Sequence, residues 1–408
     1  MNRIIQFFLL CSILIIPLNV NAKGEKGFDR SQFYSTKISP DGKHLAVSMA
    51  LNDKVGLVFL DRETLAPVGR VQFPGTHEVG YFRWVNDERV VINMLQRFPG
   101  KKYPQLSGEL YAINSDGAMG EMIYGYQAGE MQTGSLIRAR KSIQGNGEVI
   151  DILPEDDKHI LISSTPTVMR GNEYIVEEGL ATVYKLNVYT GVIRNKVVKS
   201  PIAHAEFLTN ANGEVKVVYG RDKNNTSILY VRKNDSWIKV PKSKKEIVGD
   251  SLNLISLSES GKELYALGKS NAEAKEIFKL NLDDYSYSQV FTNQDMDISN
   301  IEKTTNNRDL YAVKLNGKHA EYHFVNNQLD EAKIFKKLLN TFPDSEIKIT
   351  SKEDKGNLYV AVVALSQGAE TVYLYDNKNN KISVLFQLKA NSANNDVAKA
   401  KSKKQNLK

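Results

Sequence analysis

The chain lacks most of the residues that supply crosslinks, metal ligands and nucleophiles. Cysteine occurs once in 408 residues, at Cys11. That excludes a disulfide framework and a thiolate zinc cluster, and leaves no thiol nucleophile once the N-terminus is removed. Histidine occurs only 6 times, and the H-E-x-x-H motif of a zinc hydrolase is absent. The pattern G-x-S-x-G, which mounts a serine nucleophile on a tight strand-to-helix elbow, occurs nowhere. Strand–helix alternation, the grammar of a parallel sheet, is missing as well. The one long hydrophobic run, Ile4 to Leu18, lies at the N-terminus.

That run reads as a leader. Asn2 and Arg3 form a short positive n-region, and Val20-Asn21-Ala22 supplies small residues for cleavage after Ala22, leaving Lys23 first. The run is too short and wrongly flanked for a membrane span. The expectation is a periplasmic or secreted protein with no stable membrane span after cleavage. The formal charge of +7 is misleading as a global figure. Arg3 leaves with the leader, and residues 389–408 carry six Lys against Asp396. The body, 23–388, is therefore close to neutral, which argues against a nucleic-acid surface. Residues 389–408, rich in Asn, Ala, Ser and Lys, read as a disordered basic tail.

What is present is a repeat. After a lead-in at 23–32, about seven copies of one unit occupy 33–388: 33–73, 78–125, 149–198, 202–240, 250–291, 297–335 and 345–388. Each has an apolar run, a polar turn, a second apolar run, a loop and a strand bearing Tyr or Phe. The first is clearest, with Thr36-Lys37-Ile38, Ser39-Pro40-Asp41-Gly42, then His44 to Ser48 and Gly56 to Asp61. The runs are β-branched and aromatic and alternate with polar positions, as half-buried strands do. A period of 40 to 50 residues built from strands predicts an all-β fold, a single β-propeller of about seven four-stranded blades. Copies two and three carry insertions; the segment Gln96 to Gly108 reads as a protruding loop.

The residues then resemble a known family. Ser39-Pro40-Asp41-Gly42-Lys43 before an apolar strand is similar to the blade signature of propellers in the prolyl oligopeptidase and acylaminoacyl peptidase family, and of TolB-like propellers. Phe82-Arg83-Trp84-Val85-Asn86-Asp87-Glu88-Arg89-Val90-Val91 resembles the second blade of bacterial members. Ile152 to Ile162 with Val183 to Gly191 resembles the third, and Ser236-Trp237-Ile238-Lys239 also fits. In that family the propeller filters access to an α/β-hydrolase domain bearing a Ser-Asp-His triad. The resemblance implies the filter; no catalytic residue of the family maps onto this sequence.

Other motifs read blandly. Gly249-Asp250-Ser251-Leu252 spells a GDSL esterase block, but it lies mid-chain, and the Asp-x-x-His matches at Asp41–His44 and Asp156–His159 precede it. His319, Glu321 and His323 share one strand face, which suits a polar solvent face better than a small ion. Asp283-Asp284 and Glu155-Asp156-Asp157 are acidic turns without calcium-loop spacing. No metal and no cofactor is expected. The working surface is expected at a mouth of the central channel, where loops converge on a peptide or protein partner. Arg97, Lys102 and Tyr103 on the second-blade insertion are the candidate binding residues. Functionally, the sequence suggests a non-catalytic exported gating propeller, truncated or split from a peptidase. The alternatives are a subunit of an active peptidase whose hydrolase is another chain, or a TolB-like interaction module.

Overall fold

The computed structural model describes residues 28–29, 33–128, 143, 145–170, 173–176, 179–221, 226–241, 253–268, 275–317, 320–364 and 370–389. The leader, the GDSL-like block, His319 and residues 390–408 lie outside the described residues. After a short strand β1 (Phe28–Asp29), antiparallel sheets follow one another along the chain. Blade one is β2 (Phe33–Ile38), β3 (His44–Leu51), β4 (Lys54–Asp61) and β5 (Pro67–Val71). Blade two is β6 (His77–Trp84), β7 (Arg89–Gln96), β8 (Gln105–Asn114) and β9 (Glu121–Tyr124). Blade three takes β10 (Gly145–Asp151), β11 (His159–Arg170), β13 (Thr182–Asn187) and β14 (Ile193–Lys199), with β12 (Glu173–Val176) extending β11 as a hairpin.

Blade four is β15 (Glu206–Thr209), β16 (Val215–Arg221), β17 (Ser227–Lys233) and β18 (Ser236–Lys239). Blade five is β19 (Asn253–Leu257), β20 (Glu263–Gly268), β21 (Glu276–Asn281) and β22 (Tyr287–Phe291). Blade six has three strands, β23 (Ile298–Lys303), β24 (Leu310–Leu315) and β25 (Glu321–Phe324), followed by the helix α1 (Asp330–Thr341). Blade seven is β26 (Glu346–Lys352), β27 (Leu358–Ala364), β28 (Glu370–Asp376) and β29 (Lys381–Lys389).

The core shows that these sheets form a ring. There are seven buried apolar clusters, each drawn from two successive blades. Phe59 and Trp84, 5.8 Å apart edge to face, join blades one and two. The cluster of Leu45, Val47, Val58, Val360 and Leu374 joins blade one to blade seven. A linear stack of seven sheets has six such interfaces; the seventh closes the circle, and every blade buries both faces. Polar bonds reinforce the closure: Ile38 N donates to Ser351 Oγ at 2.9 Å, and Thr350 Oγ1 to the Thr36 carbonyl at 3.0 Å. On the outer edge, β1 adds parallel to β29, with Phe28 opposite Leu388.

The first turn of each blade explains the recurring sequence signature. In blade one the Gly42 amide donates to the Ser39 carbonyl, while Asp41 Oδ1 accepts from the Ser39 hydroxyl and the Lys43 amide. In five blades this turn carries a left-handed residue, supplied by Gly42, Gly213, Gly261 and Gly356 in four of them and by Asn307 in blade six. The helix of blade six has an equally local cause. Asp330 and Glu331 sit in its first turn, favoured by the helix dipole, and Glu331, Ile334, Phe335 and Leu338 repeat at helical spacing on the buried face. Phe335 packs against Tyr311 and Tyr322. Glu331 accepts from the Thr305 amide and hydroxyl and pairs with Lys352 at 3.0 Å, tying blade six to blade seven.

Candidate functional site at the channel mouth

Every inner strand begins on one side of the ring and ends on the other, where the first turns gather. Pro40, Asn86, Pro154, Ala211, Glu259, Asn306 and Asp354, one from each blade in order, border a single cavity of about 1340 Å³. That places it on the ring axis, as a funnel. The innermost strand of every blade is an edge strand of its sheet, hydrogen-bonded on one side only. The funnel is therefore ringed by backbone edges as well as side chains.

The most prominent side chain in the funnel is Arg308, in the first turn of blade six. Its guanidinium reaches past blade five to blades four and three, donating to the Thr209 carbonyl and, at 3.0 Å, to Asp151 Oδ2. Thr209 Oγ1 donates to the same carboxylate oxygen, and the Leu153 amide to its other oxygen at 2.8 Å. Glu259 lies 3.8 Å from Arg308 Nε. Arg308 and Asp151 are both buried. A residue 157 positions from its partner thus clamps one side of the funnel.

The wall formed by blades seven, one and two is cationic. Lys37 Nζ donates to the Phe82 carbonyl at 2.9 Å and lies 5.3 Å from the Phe82 ring centre. Burial, with Arg83 and Lys348 nearby, draws the Lys37 ammonium down to about 8. Burial also lowers Arg83, opposed by the charges of Glu148 and Asp151. On the wall of blades three and four, Glu148 is raised by burial and by the neighbouring Glu206. Glu206 accepts a hydrogen bond from the Tyr219 hydroxyl, whose own ionisation burial and Glu206 push well up. Cations thus gather on the inner strands of blades seven, one and two, and the carboxyl groups of Glu148 and Glu206 on those of blades three and four. At the rim, burial raises the carboxyl groups of Asp87 and Asp354, helped by the charge of Asp41 on the first and of Asp87 and Glu353 on the second.

The residues expected to bind lie elsewhere. Glu88 borders the funnel, whereas Arg97 follows the far end of the eight-residue strand β7, roughly 25 Å away at the rise of a strand. There Arg97 pairs with Glu78 and donates to the Asp53 carbonyl at 3.0 Å, linking blade two to blade one. Lys102 Nζ lies 5.1 Å from the ring centre of Tyr103, which is exposed. The structure brings Lys102 and Tyr103 together and puts all three on the side of the ring opposite the funnel. The protruding segment is shorter than the sequence suggests, because β7 and β8 extend through Gln96 and from Gln105.

Of the other motifs, His323 Nε2 sits 2.8 Å from Glu321 on an exposed strand face. His159 Nδ1 and Lys185 both bind Asp156; burial opposes its ionisation, but these bonds hold its carboxyl far below the usual range. No group of three metal-ligating side chains occurs among the described residues, and no described helix is long and apolar enough to cross a membrane. Sequence reading missed Lys37, Arg83, Asp151 and Arg308. A usable signal was present: Lys37, Arg83 and Asp151 each put a charge at or next to the end of a blade's first apolar strand.

With this geometry, the molecule is a seven-bladed β-propeller whose axial funnel is its candidate site. Its fold is that of the propellers in prolyl oligopeptidase-type peptidases. Prolyl oligopeptidase B from Galerina marginata, solved with a 35mer hydrolysis and macrocyclization substrate, has a TM-score of 0.53 at 13% identity over 90% of this chain and 53% of that one. A prolyl endopeptidase structure gives 0.53 at 11% identity over 88% and 50%. A puromycin-hydrolyzing peptidase from Mycobacterium tuberculosis gives 0.52 at 10% identity over 89% and 55%. The chain thus spans about half the length of these enzymes. No protein-family model matches the sequence, and no curated protein matches it.

Proposed function

We propose that this chain is an exported, non-catalytic β-propeller that admits peptide segments into its axial funnel, as a substrate-gating propeller does. The observation that carries the reading is the lining: unpaired edges of inner strands combined with side chains of both signs, Lys37, Arg83 and Arg308 with Asp87, Asp157 and Asp354. Extended peptide offers matching backbone donors and acceptors at every residue and charges of both signs. The enzyme from Galerina marginata, whose propeller fold the chain shares, was solved with a 35mer substrate. No nucleophile elbow occurs in the sequence, so the reading assigns binding and no bond cleavage.

Fluorescence anisotropy with labelled, unstructured peptides of mixed charge tests the reading. Saturable binding that unlabelled peptide displaces is expected, together with no labelling by a fluorophosphonate probe. Absence of saturable binding contradicts the peptide reading, and probe labelling contradicts its non-catalytic part.

A further inference from the structure

Three cations stand on the inner strands of successive blades, and two of them, Lys37 and Arg83, line the funnel. Lys37, Arg83 and Lys348 come from β2, β6 and β26, and the latter two act electrostatically on the first. Among the described residues, no hydrogen bond or ion pair engages the side chain of Arg83 or Lys348. Two of the carboxylates within electrostatic reach, Asp151 and Glu302, are hydrogen-bonded to other groups. Asp151 is held by Arg308, Thr209 and the Leu153 amide. Glu148 lies outside hydrogen-bond range of Arg83 and shares its field with Glu206, and Glu302, near Lys348, accepts from Asn300 at 2.6 Å. A planar guanidinium with its donors free is matched to a carboxylate, which it binds through two parallel hydrogen bonds. Lys37 and Arg83 are half-buried and Lys348 is exposed; like charges gathered there repel one another, and an anion between them relieves that repulsion.

The rim selects which anion. Around the first turns, Asp87, Glu88, Asp157, Glu259 and Asp354 outnumber Lys158 and Lys352, so a small free anion meets a net negative rim before it meets the cations. A ligand with a carboxylate at its tip and a cation a few residues behind satisfies both layers. We propose that Lys37, Arg83 and Lys348 form a station for the C-terminal carboxylate of a peptide carrying a basic residue shortly upstream; this rests on the peptide-binding reading above.

Trp84 supplies a built-in reporter: it lines the funnel, and its indole Nε1 donates to the Lys37 carbonyl at 3.3 Å. The experiment titrates the full chain with acetyl-Lys-Ala-Ala-Ala as the free acid, with the same peptide as its C-terminal amide, and with inorganic phosphate, following Trp fluorescence. The free acid is expected to bind at least about 10-fold tighter than the amide, the order of one charge-assisted hydrogen-bonded contact. Arg83→Gln and Lys348→Gln are each expected to shrink that preference. Equal binding of acid and amide overturns the carboxylate station and leaves the peptide reading standing. Binding of neither peptide overturns both. Phosphate binding without peptide binding overturns the proposal in favour of an inorganic anion site. The acid–amide comparison is made on the unaltered chain, so it holds even if a variant folds poorly.

Discussion

Removing the Arg308 guanidinium measures how far the funnel clamp holds the ring together. In Arg308→Ala, Asp151 loses its cation while remaining 5% exposed. Breaking a buried pair by deleting one partner costs about 3–5 kcal/mol. Here the carboxylate keeps the Thr209 hydroxyl and the Leu153 amide, which puts the cost at about 2–4 kcal/mol. Asp151→Asn keeps the shape and removes the charge, and Arg308 retains Glu259 at 3.8 Å; the expected cost is about 1–3 kcal/mol. The two substitutions share one interaction, so the double variant should fall short of their sum by about 1–2 kcal/mol. Urea denaturation of the four proteins gives this cycle directly. Strict additivity, or an Arg308→Ala loss below about 0.5 kcal/mol, refutes the clamp as a structural link between blades six and three.

Further perturbations test other joints. Arg89 is fully buried and donates to the Val188 carbonyl, Asn114 Oδ1 and the Met119 carbonyl while stacking 4.7 Å from the Tyr189 ring; Arg89→Met should cost about 3–5 kcal/mol in urea denaturation. Burial raises Glu302 to about 7 against an ordinary 4.5. The folded state therefore holds this proton longer than the unfolded one, and stability falls as pH rises from about 4.5 to about 7. Glu302→Gln should stabilise the protein by about 1–3 kcal/mol at pH 8 and far less at pH 4, and equal effects at both contradict the burial argument. A Cβ on Gly69 would lie 2.4 Å from the Ser115 carbonyl oxygen and 2.6 Å from the Asp116 carbonyl carbon. Gly69→Ala should cost about 1–3 kcal/mol by forcing blades one and two apart, readable as a lower denaturation midpoint.

The repeat was legible in the sequence because its cause is local. Ser39-Pro40-Asp41-Gly42 makes its own turn, with a left-handed Gly42 and an Asp41 side chain that binds the next amide but one. The ring and the seven interfaces follow from repetition of apolar strands. The helix Asp330–Thr341 was less visible, because its apolar positions merge with the end of the sixth copy at Phe335 and no side-chain cap marks its start. The clamp was not legible at all. Arg308 and Asp151 meet only because the closed ring brings blades six and three across an axis, and nothing near either residue announces that encounter. Arg97, whose place in an apparent loop suggested a ligand contact, bridges two blades, which nothing next to it in the sequence announced. The charges on Lys37 and Arg83 could have been found, since each interrupts an apolar first strand next to its turn.

Peptide entry into the funnel is tested most directly by a photo-crosslinking peptide. A basic peptide with a diazirine side chain is irradiated on the full chain, and the attachment sites are mapped by mass spectrometry. Crosslinks are expected at funnel residues such as Trp84, Thr209 and Thr350, and unlabelled peptide should abolish them. Crosslinks confined to the opposite side, around Lys102 and Tyr103, would contradict the funnel as the binding site.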